Sequence, residues 1–485
     1  MNQTQLITFI TDYIEANQEK LDDIAKQIFD FAEVRFEEYK SSALISQVLE
    51  DAGFSIRRGV GKLDTAFIAE FSNKANKPVV AFLGEYDALP NLSQIPGLAQ
   101  QQAEIPDGSG HGCGHNLLGT ASLGAALAVK EALLKFDLSG SVRYYGCPAE
   151  EGGSGKTFMV RDGVFDYVDT AICWHPAPDN IIWGVSTLAN IQAEYAFKGI
   201  SSHAAAAPEV GRSALDAVEL MNVGANYLRE HVPSDVRFHY AITDTGGKSP
   251  NVVQADAKVL YLIRAPQIAT VNDVYARISN IAKGAALMTG TEVTIRFDKA
   301  CSNYLPNHIL ASTMDDIFHE LGAPAFNAEE IALAKEIRKS IPEVNRQREF
   351  VSEMLTAEGK AMELAAKDKD LSDFIYPYGP EAANLILSGS TDVGDVSWKV
   401  PTVQCLVASH TRQTAAHTWQ WTTTGKTSIG LKGMRHAAKI MGATGLKLFV
   451  EPELITAAKA ELDNKTQQMP YQNPIPVGVD PNNQK

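Results

Sequence analysis

The residues best equipped for chemistry are gathered in Gly110-His111-Gly112-Cys113-Gly114-His115-Asn116. Two imidazoles and a thiol lie within five positions, spaced by glycines that free the backbone to turn Cys113 and His115 toward one point. The bland reading is a buried cysteine between two solvated histidines, yet such spacing costs conformational entropy to no structural end. A second group, Glu150-Glu151-Gly152-Gly153, closes an apolar run. Adjacent acids are commonly solvated. At a strand end they also suit a division of labour in which one carboxylate ligates a metal and the other moves protons. His175, just before Pro176, and His417, in Ala415-Ala416-His417-Thr418-Trp419, extend the set, with His410 as the rival of His417. Thiolate, imidazole and carboxylate donors together suit Zn²⁺, Mn²⁺ or Co²⁺ rather than Mg²⁺ or Ca²⁺. Five such ligands are too many for one catalytic zinc with an open position and about right for two ions sharing one bridge.

Strands and helices must place these groups, and hydrophobic spacing indicates which. Val79–Leu83 runs into Gly84-Glu85-Tyr86-Asp87, Val142–Tyr145 into Gly146-Cys147-Pro148, and Thr170–Trp174 into His175-Pro176. Between the first two lies Leu117–Phe136, a predicted helix whose Gly119, Ala121, Gly124, Ala125 and Ala128 let it sit close on a sheet. Residues 1–35 and Ser41–Ala52 also read as helices. This alternation predicts an α/β fold, a mostly parallel mixed sheet flanked by helices. Chemistry in such sheets lies beyond the carboxyl ends of the strands. From about residue 190 the pattern changes to a half-solvated strand through Ile191, Ala193, Tyr195 and Phe197. There follow a helix at Ser213–Arg229, strands near Val236–Ile242 and Lys258–Arg264, a helix at Val271–Met288 and a strand at Glu292–Phe297. That β-α-β-β-α-β order is the plan of a ferredoxin-like unit. The expected division is a discontinuous catalytic domain of residues 1–189 and 307–460, an inserted domain of 190–306 and a C-terminal tail of 461–485. Residues 307–385 look helical and charged, an extra segment, before a strand at Val403–Ala408 and a helix at Thr427–Val450. The tail after Met469, with its Pro, Asn and Gln, should lie on the surface or stay unstructured.

The composition excludes several other functions. With 43 Lys+Arg against 58 Asp+Glu among 485 residues, the chain carries a formal charge of −15 and no basic cluster. Neither nucleic acid nor an anionic membrane is an expected partner. No run of 18 apolar residues occurs, and MNQTQLITFITDYIEANQEK lacks the basic and apolar regions of an export signal. Five scattered cysteines do not make a disulfide scaffold, so a reduced, cytoplasmic protein is expected, with Cys147, Cys173, Cys301 and Cys405 in the core. His231, His239, His308, His319 and His436 lack such company and read as structural. No Gly-x-Gly-x-x-Gly or P-loop follows a strand, which argues against a nucleotide-binding α/β protein.

Five segments together carry a family resemblance. They are Gly84-Glu85-Tyr86-Asp87-Ala88-Leu89, His111–Asn116, Cys147-Pro148-Ala149-Glu150-Glu151-Gly152-Gly153-Ser154-Gly155-Lys156, Ser390-Thr391-Asp392-Val393-Gly394-Asp395-Val396-Ser397-Trp398 and His417-Thr418-Trp419-Gln420. The chain resembles the metallopeptidase superfamily of aminoacylases, glutamate carboxypeptidase and hippurate and auxin-conjugate hydrolases. The resemblance implies two divalent ions, Mn or Zn, with Cys113 bridging, His115 and His175 completing one and Glu151 and His417 the other. It implies Glu150 as the general base that activates water, and Asp87 as the orienter behind the ligands. Some members carry a histidine ligand where this chain has Glu85, and an Asp where it has Asn116. The inserted domain becomes a lid and dimerisation unit, pairing with a second copy or a homologous subunit. His203 would reach the partner's site to stabilise the oxyanion, and Asn251 and Arg264 would hold the substrate carboxylate. A strand-end salt bridge is the plainer role for Arg264. The implied reaction is hydrolysis of an amide between an acyl or aroyl group and an amino acid, the substrate being a small N-acyl amino acid. The alternatives are an aminoacylase, a hippurate- or auxin-conjugate-type hydrolase or a dipeptidase with the same site, and a non-catalytic metal-binding subunit, against which the intact Glu150-Glu151 pair argues.

Overall fold

The computed structural model describes residues 1–344, 346 and 351–481. The helical N-terminus resolves into α1 (Gln3–Ala16) and α2 (Gln18–Phe31), broken at Asn17, and α3 (Tyr39–Asp51) follows. Asn2 and Gln5 form a reciprocal capping box that starts the first of them. The main sheet then builds from β1 (Ser55–Arg58), β2 (Phe67–Asn73), β3 (Val79–Glu85), β4 (Gly140–Cys147), β5 (Thr170–Ala177), β6 (Ile181–Ile182) and, from far along the chain, β13 (Thr402–Ala408). Its strand order is β1-β2-β4-β3-β5-β13-β6. The central β4, β3, β5 and β13 are parallel, and the flanking strands join antiparallel. Every residue of β3 is buried, as expected of a strand covered on both faces.

Helix α4 (His115–Lys135) lies across this sheet beside α14 (Ser428–Val450). By length and composition it is the one described helix that could cross a membrane, but 83% of its apolar window is buried inside the protein. Its small residues permit a close approach. A Cβ on Gly119 would stand 2.5 Å from the carbonyl oxygen of Glu85, so a side chain there would push the helix off the strand that ends in the site. Short α5 (Glu150–Gly153) and α6 (Gly155–Arg161) follow β4.

A second, four-stranded antiparallel sheet spans residues 189–301. Its strands are β8 (Ala189–Lys198), β9 (Arg237–Asp244), β10 (Asp256–Ala265) and β11 (Glu292–Cys301), in the order β11-β8-β10-β9. Helices α7 (Ala214–Leu228) and α8 (Ile268–Thr289) pack on the face that buries Tyr195, Phe197, Tyr261 and Ile263. The other face carries Gln192, Glu194, Leu262 and Arg264, none of them fully buried.

The segment after this sheet contains α9 (His308–Leu321), α10 (Ala328–Lys339) and α11 (Ala357–Ala366). β7 (Ser186–Thr187) pairs with β12 (Ile386–Leu387), and α12 (Val393–Lys399) leads into β13. The segment grips the loop that precedes His417. Arg412, fully buried, meets Asp179 at 3.1 Å and Glu363, and its N–H donates to the Asp370 carbonyl at 3.0 Å. A charge so deeply buried has to be paired in this way. Short α13 (Trp419–Thr422) follows that loop.

Helix α15 (Glu453–Thr466) continues beyond residue 460, where the tail was expected to begin. The tail is also better anchored than its composition suggests. The Tyr471 hydroxyl donates to Asp395 at 2.8 Å, the Asn473 amide donates to the Thr157 carbonyl at 2.8 Å, and Ile475 is buried. Residues 482–485 of the expected tail lie outside the described residues.

Candidate metal centre

The ends of β3, β4 and β5 converge with the glycine-rich loop. Gly114, at φ +78°, turns the chain so that Cys113 and the first residue of α4, His115, face the same side. After β4, Ala149 adopts φ +59°, a costly conformation for a residue with a Cβ. Glu38 offsets that cost: its carboxylate accepts from the Ala149 N–H at 2.9 Å, from Phe36 N–H at 2.9 Å and from the Thr65 hydroxyl at 2.8 Å. Burial, together with nearby Asp87, pushes the Glu38 carboxyl up to about 8. The turn so fixed presents Glu150 and Glu151. His417, also left-handed at φ +62°, is held by its own N–H donating to the Gly112 carbonyl at 2.9 Å.

The five expected ligands come together as two triads that share one atom. Cys113 Sγ with ring nitrogens of His115 and His175 forms the first, and Sγ with a Glu151 oxygen and a His417 nitrogen forms the second. Within each triad all ligand atoms lie within 4.8 Å of one another. His175 Nε2 is 3.3 Å from Cys113 Sγ, and His417 Nε2 is 3.2 Å from Glu151. The far ring nitrogens are already engaged: His115 Nδ1 bonds Asp87 at 2.9 Å, and His175 Nδ1 bonds the Pro176 carbonyl at 2.7 Å. That leaves both Nε2 atoms free to ligate, the arrangement in which metal-binding histidines are held. Asp87 also accepts from the Glu151 N–H at 2.9 Å, so one carboxylate orients ligands of both triads.

These residues fit a pair of cations. His115 Nε2 and Glu151 Oε1 are buried without a hydrogen-bond partner, and both belong to the triads. Burial alone would raise the Cys113 thiol, yet the histidines around it hold it well below its ordinary value, toward the thiolate that binds metal. Bonds to Cys113 and Glu151 push His417 up to about 11. His410 is the weaker candidate. It stacks on Trp421, its Nδ1 bonds Thr424, and burial takes it down to about 3.

Sequence reasoning passed over the charges beneath the ligands. Lys156, fully buried, meets Glu85 at 2.6 Å and Asp392 at 2.5 Å, while the second oxygen of Glu85 stands 3.2 Å from His115 Nε2. Glu85, His115 and Glu150 make a third possible donor group. Lys156 and Asp392 both stood in the quoted motifs, but neither has an obvious catalytic reading from its type alone. Asn116 has no part here. Its amide donates to the carbonyls of Ala25 and Gly425 and ties α4 to α2 and to the turn before α14.

The remaining expected residues are not brought together. His203 is exposed, its Nδ1 accepting from the Ala205 and Ala206 N–H groups, and it pairs with Val252 beside Asn251. Arg264 is at the other end of β10, opposite Asn190, whereas Asn251 precedes the Asp256 end. Eight residues of strand, roughly 26 Å, separate the two ends. One chain therefore cannot close Asn251 and Arg264 on the same carboxylate without a large rearrangement.

Comparison with known proteins places this geometry in context. The sequence model described as "Peptidase family M20/M25/M40" matches residues 81–420. One subunit of p-aminobenzoyl-glutamate hydrolase from Escherichia coli (strain K12) is 50% identical over 479 residues, covering 98% of this chain and 99% of that protein. The other subunit of the same hydrolase is 28% identical over 253 residues, 50% of this chain and 57% of its own length. Among solved structures, a dinuclear metal-binding peptidase of the M20 family from Bacillus subtilis superposes with a TM-score of 0.54 at 16% identity, covering 90% of this chain and 99% of that one.

Proposed function

The chain belongs to peptidase family M20/M25/M40 and is a hydrolase of amide bonds to amino acids, and from that premise we propose that its substrate is p-aminobenzoyl-glutamate, cleaved to p-aminobenzoate and glutamate. The observation that carries the chemistry is the single thiolate shared by two ligand triads, with Glu150 beside them. The full-length likeness to a subunit of a hydrolase of that name supports the substrate. Cys113, His115 and His175 would hold one divalent ion and Cys113, Glu151 and His417 the other, the donor set favouring Mn or Zn. When bound, such ions polarise the amide carbonyl and lower the pKa of water.

The chain's own groups do the rest. Glu150, whose carboxyl burial and the charges of Glu85, Asp392 and Glu151 all push up, accepts the proton of the attacking water and returns it to the departing nitrogen. Asp87 keeps His115 in one tautomer and fixes the Glu151 backbone. Arg264 binds the substrate carboxylate of its own subunit, and His203 and Asn251 serve the partner's site, His203 donating to the oxyanion. The surface supports this assignment to two copies. β9 is an edge strand with Tyr240 and Ile242 exposed, and α7 exposes Leu220, Val223 and Tyr227, an apolar face suited to pairing with a second copy or with a homologous subunit. Residues 190–306 would then be the lid and dimerisation domain. The five free cysteines suit a reducing, cytoplasmic setting.

The test is a substrate panel on the purified chain loaded with Mn²⁺ or Zn²⁺. p-Aminobenzoyl-glutamate should exceed N-acetyl amino acids and simple dipeptides in kcat/KM by about tenfold or more. Turnover of a dipeptide alone would overturn the substrate, and no turnover of any amide by the metal-loaded chain would favour the non-catalytic reading.

A further inference from the structure

The open face of the four-stranded sheet carries a group of cations that the metal centre does not use. In the β10–β9 register Arg264 lies directly opposite Arg237, and Leu262 opposite His239. Opposed positions on antiparallel strands project to the same face with Cβ atoms about 5 Å apart, and like charges placed so are destabilising. Among the described residues no carboxylate pairs with either guanidinium. Arg264 makes no hydrogen bond or ion pair among the described residues, and its Nε is buried without a partner. The Arg237 guanidinium bonds only the carbonyls of Ser234 and Val236, and His239 bonds nothing among the described residues. These three bases line a cavity of about 370 Å³ with Leu188, Ile386 and Ser388, and Asp235 is the sole acid among its walls.

The cavity adjoins the catalytic layer. The Leu188 N–H donates to the Gly389 carbonyl at 2.9 Å, which fixes the start of β8 against the loop after β12. Ser388 in that loop is four residues from Asp392, the carboxylate that holds Lys156 in the charge cluster with Glu85. Four residues of chain span at most about 15 Å. Two guanidinium forks and an imidazole can bind two carboxylates, each fork matching a carboxylate bidentately.

We propose that this cavity is a subsite for a dicarboxylate: Arg264 takes the α-carboxylate of the amino-acid half, and Arg237 with His239 takes its side-chain carboxylate. The inference rests on the amide-hydrolase reading above and narrows it to N-acyl derivatives of acidic amino acids. Selection follows because a neutral side chain offers the Arg237 fork no carboxylate to pair with.

The experiment measures kcat/KM for two matched pairs, p-aminobenzoyl-glutamate against p-aminobenzoyl-glutamine and N-acetyl-glutamate against N-acetyl-glutamine, on the metal-loaded chain and on Arg237→Met. Metal content and thermal unfolding serve as folding controls, and Arg237→Lys is a second variant that keeps the charge. The wild type should favour glutamate by about tenfold or more in whichever pair it cleaves. In Arg237→Met that ratio should fall to within about threefold of unity, chiefly through KM, with partial recovery in Arg237→Lys. A wild type that does not discriminate, or an Arg237→Met ratio equal to that of the wild type, overturns the subsite. Cleavage of the acetyl pair alone overturns the p-aminobenzoyl substrate, while the glutamate-to-glutamine ratio still decides the subsite.

Discussion

Glu150→Gln should retain two ions per chain and lose about 10³-fold in kcat, equivalent to roughly 4 kcal/mol of barrier. Gln matches Glu in shape but cannot accept a proton at neutral pH. Glu150 stands beside the ligands without belonging to either triad that contains Cys113, its nearer oxygen 4.0 Å from His115 Nε2. Its position is fixed by the strained Ala149 and the Glu38 carboxylate, neither of which the substitution touches. KM should therefore change far less than kcat. Steady-state kinetics paired with metal analysis checks both halves of the expectation. If instead the variant keeps activity within a few-fold of the wild type, the base lies elsewhere. If it loses its ions, Glu150 is a ligand and the third donor group with Glu85 and His115 is the relevant one.

Cys113→Ser should have a comparable effect on activity by a different route, lowering bound metal from two ions to one or fewer and activity by at least about 10²-fold. The thiol is the only ligand atom common to the two triads, and its histidine neighbours favour the thiolate despite burial. A serine hydroxyl stays protonated at neutral pH and is a poor bridge between borderline-soft cations. Because Cys113 is buried and close in volume to serine, the fold should survive, and an unchanged far-UV spectrum with depleted metal would separate loss of the bridge from unfolding. Two tightly held ions in this variant would show that the thiolate is not shared.

Much of this was legible in the residue pattern because the site is made at strand ends. The strands β3, β4, β5 and β13 are visible as apolar runs, and each run leads into a residue of the site: the orienting Asp87 after β3, the base Glu150 and the ligand Glu151 after β4, His175 within the end of β5 and His417 beyond β13. The glycine spacing around Cys113 pointed to a turned backbone, and Gly114 at φ +78° supplies it. The four-stranded sheet was readable for the same reason, since alternation through Ala193, Tyr195 and Phe197 reports one covered face. Other features depended on contacts between residues far apart in the chain. Lys156 and Asp392 are separated by 236 positions, and only folding shows that each is buried against the other. Arg412 stands in a polar loop of the sequence, and only folding shows that Asp179 and Glu363 enclose it and thereby brace the chain that carries His417. The tail lies on the surface, as Pro, Asn and Gln suggest, but composition does not reveal that Tyr471 and Asn473 use their polar groups to pin it there. Nothing in two separate motifs reveals that Asn251 and Arg264 lie toward opposite ends of one strand, so that one carboxylate could meet both only between two copies of the chain.

Anomalous diffraction from crystals of the Zn²⁺-loaded protein tests the shared thiolate most directly. Two metal peaks should appear in one pocket, both within bonding distance of Cys113 Sγ, about 2.3 Å, with His115 and His175 on one and Glu151 and His417 on the other. A single peak, or two peaks of which only one touches that sulfur, would contradict the assignment.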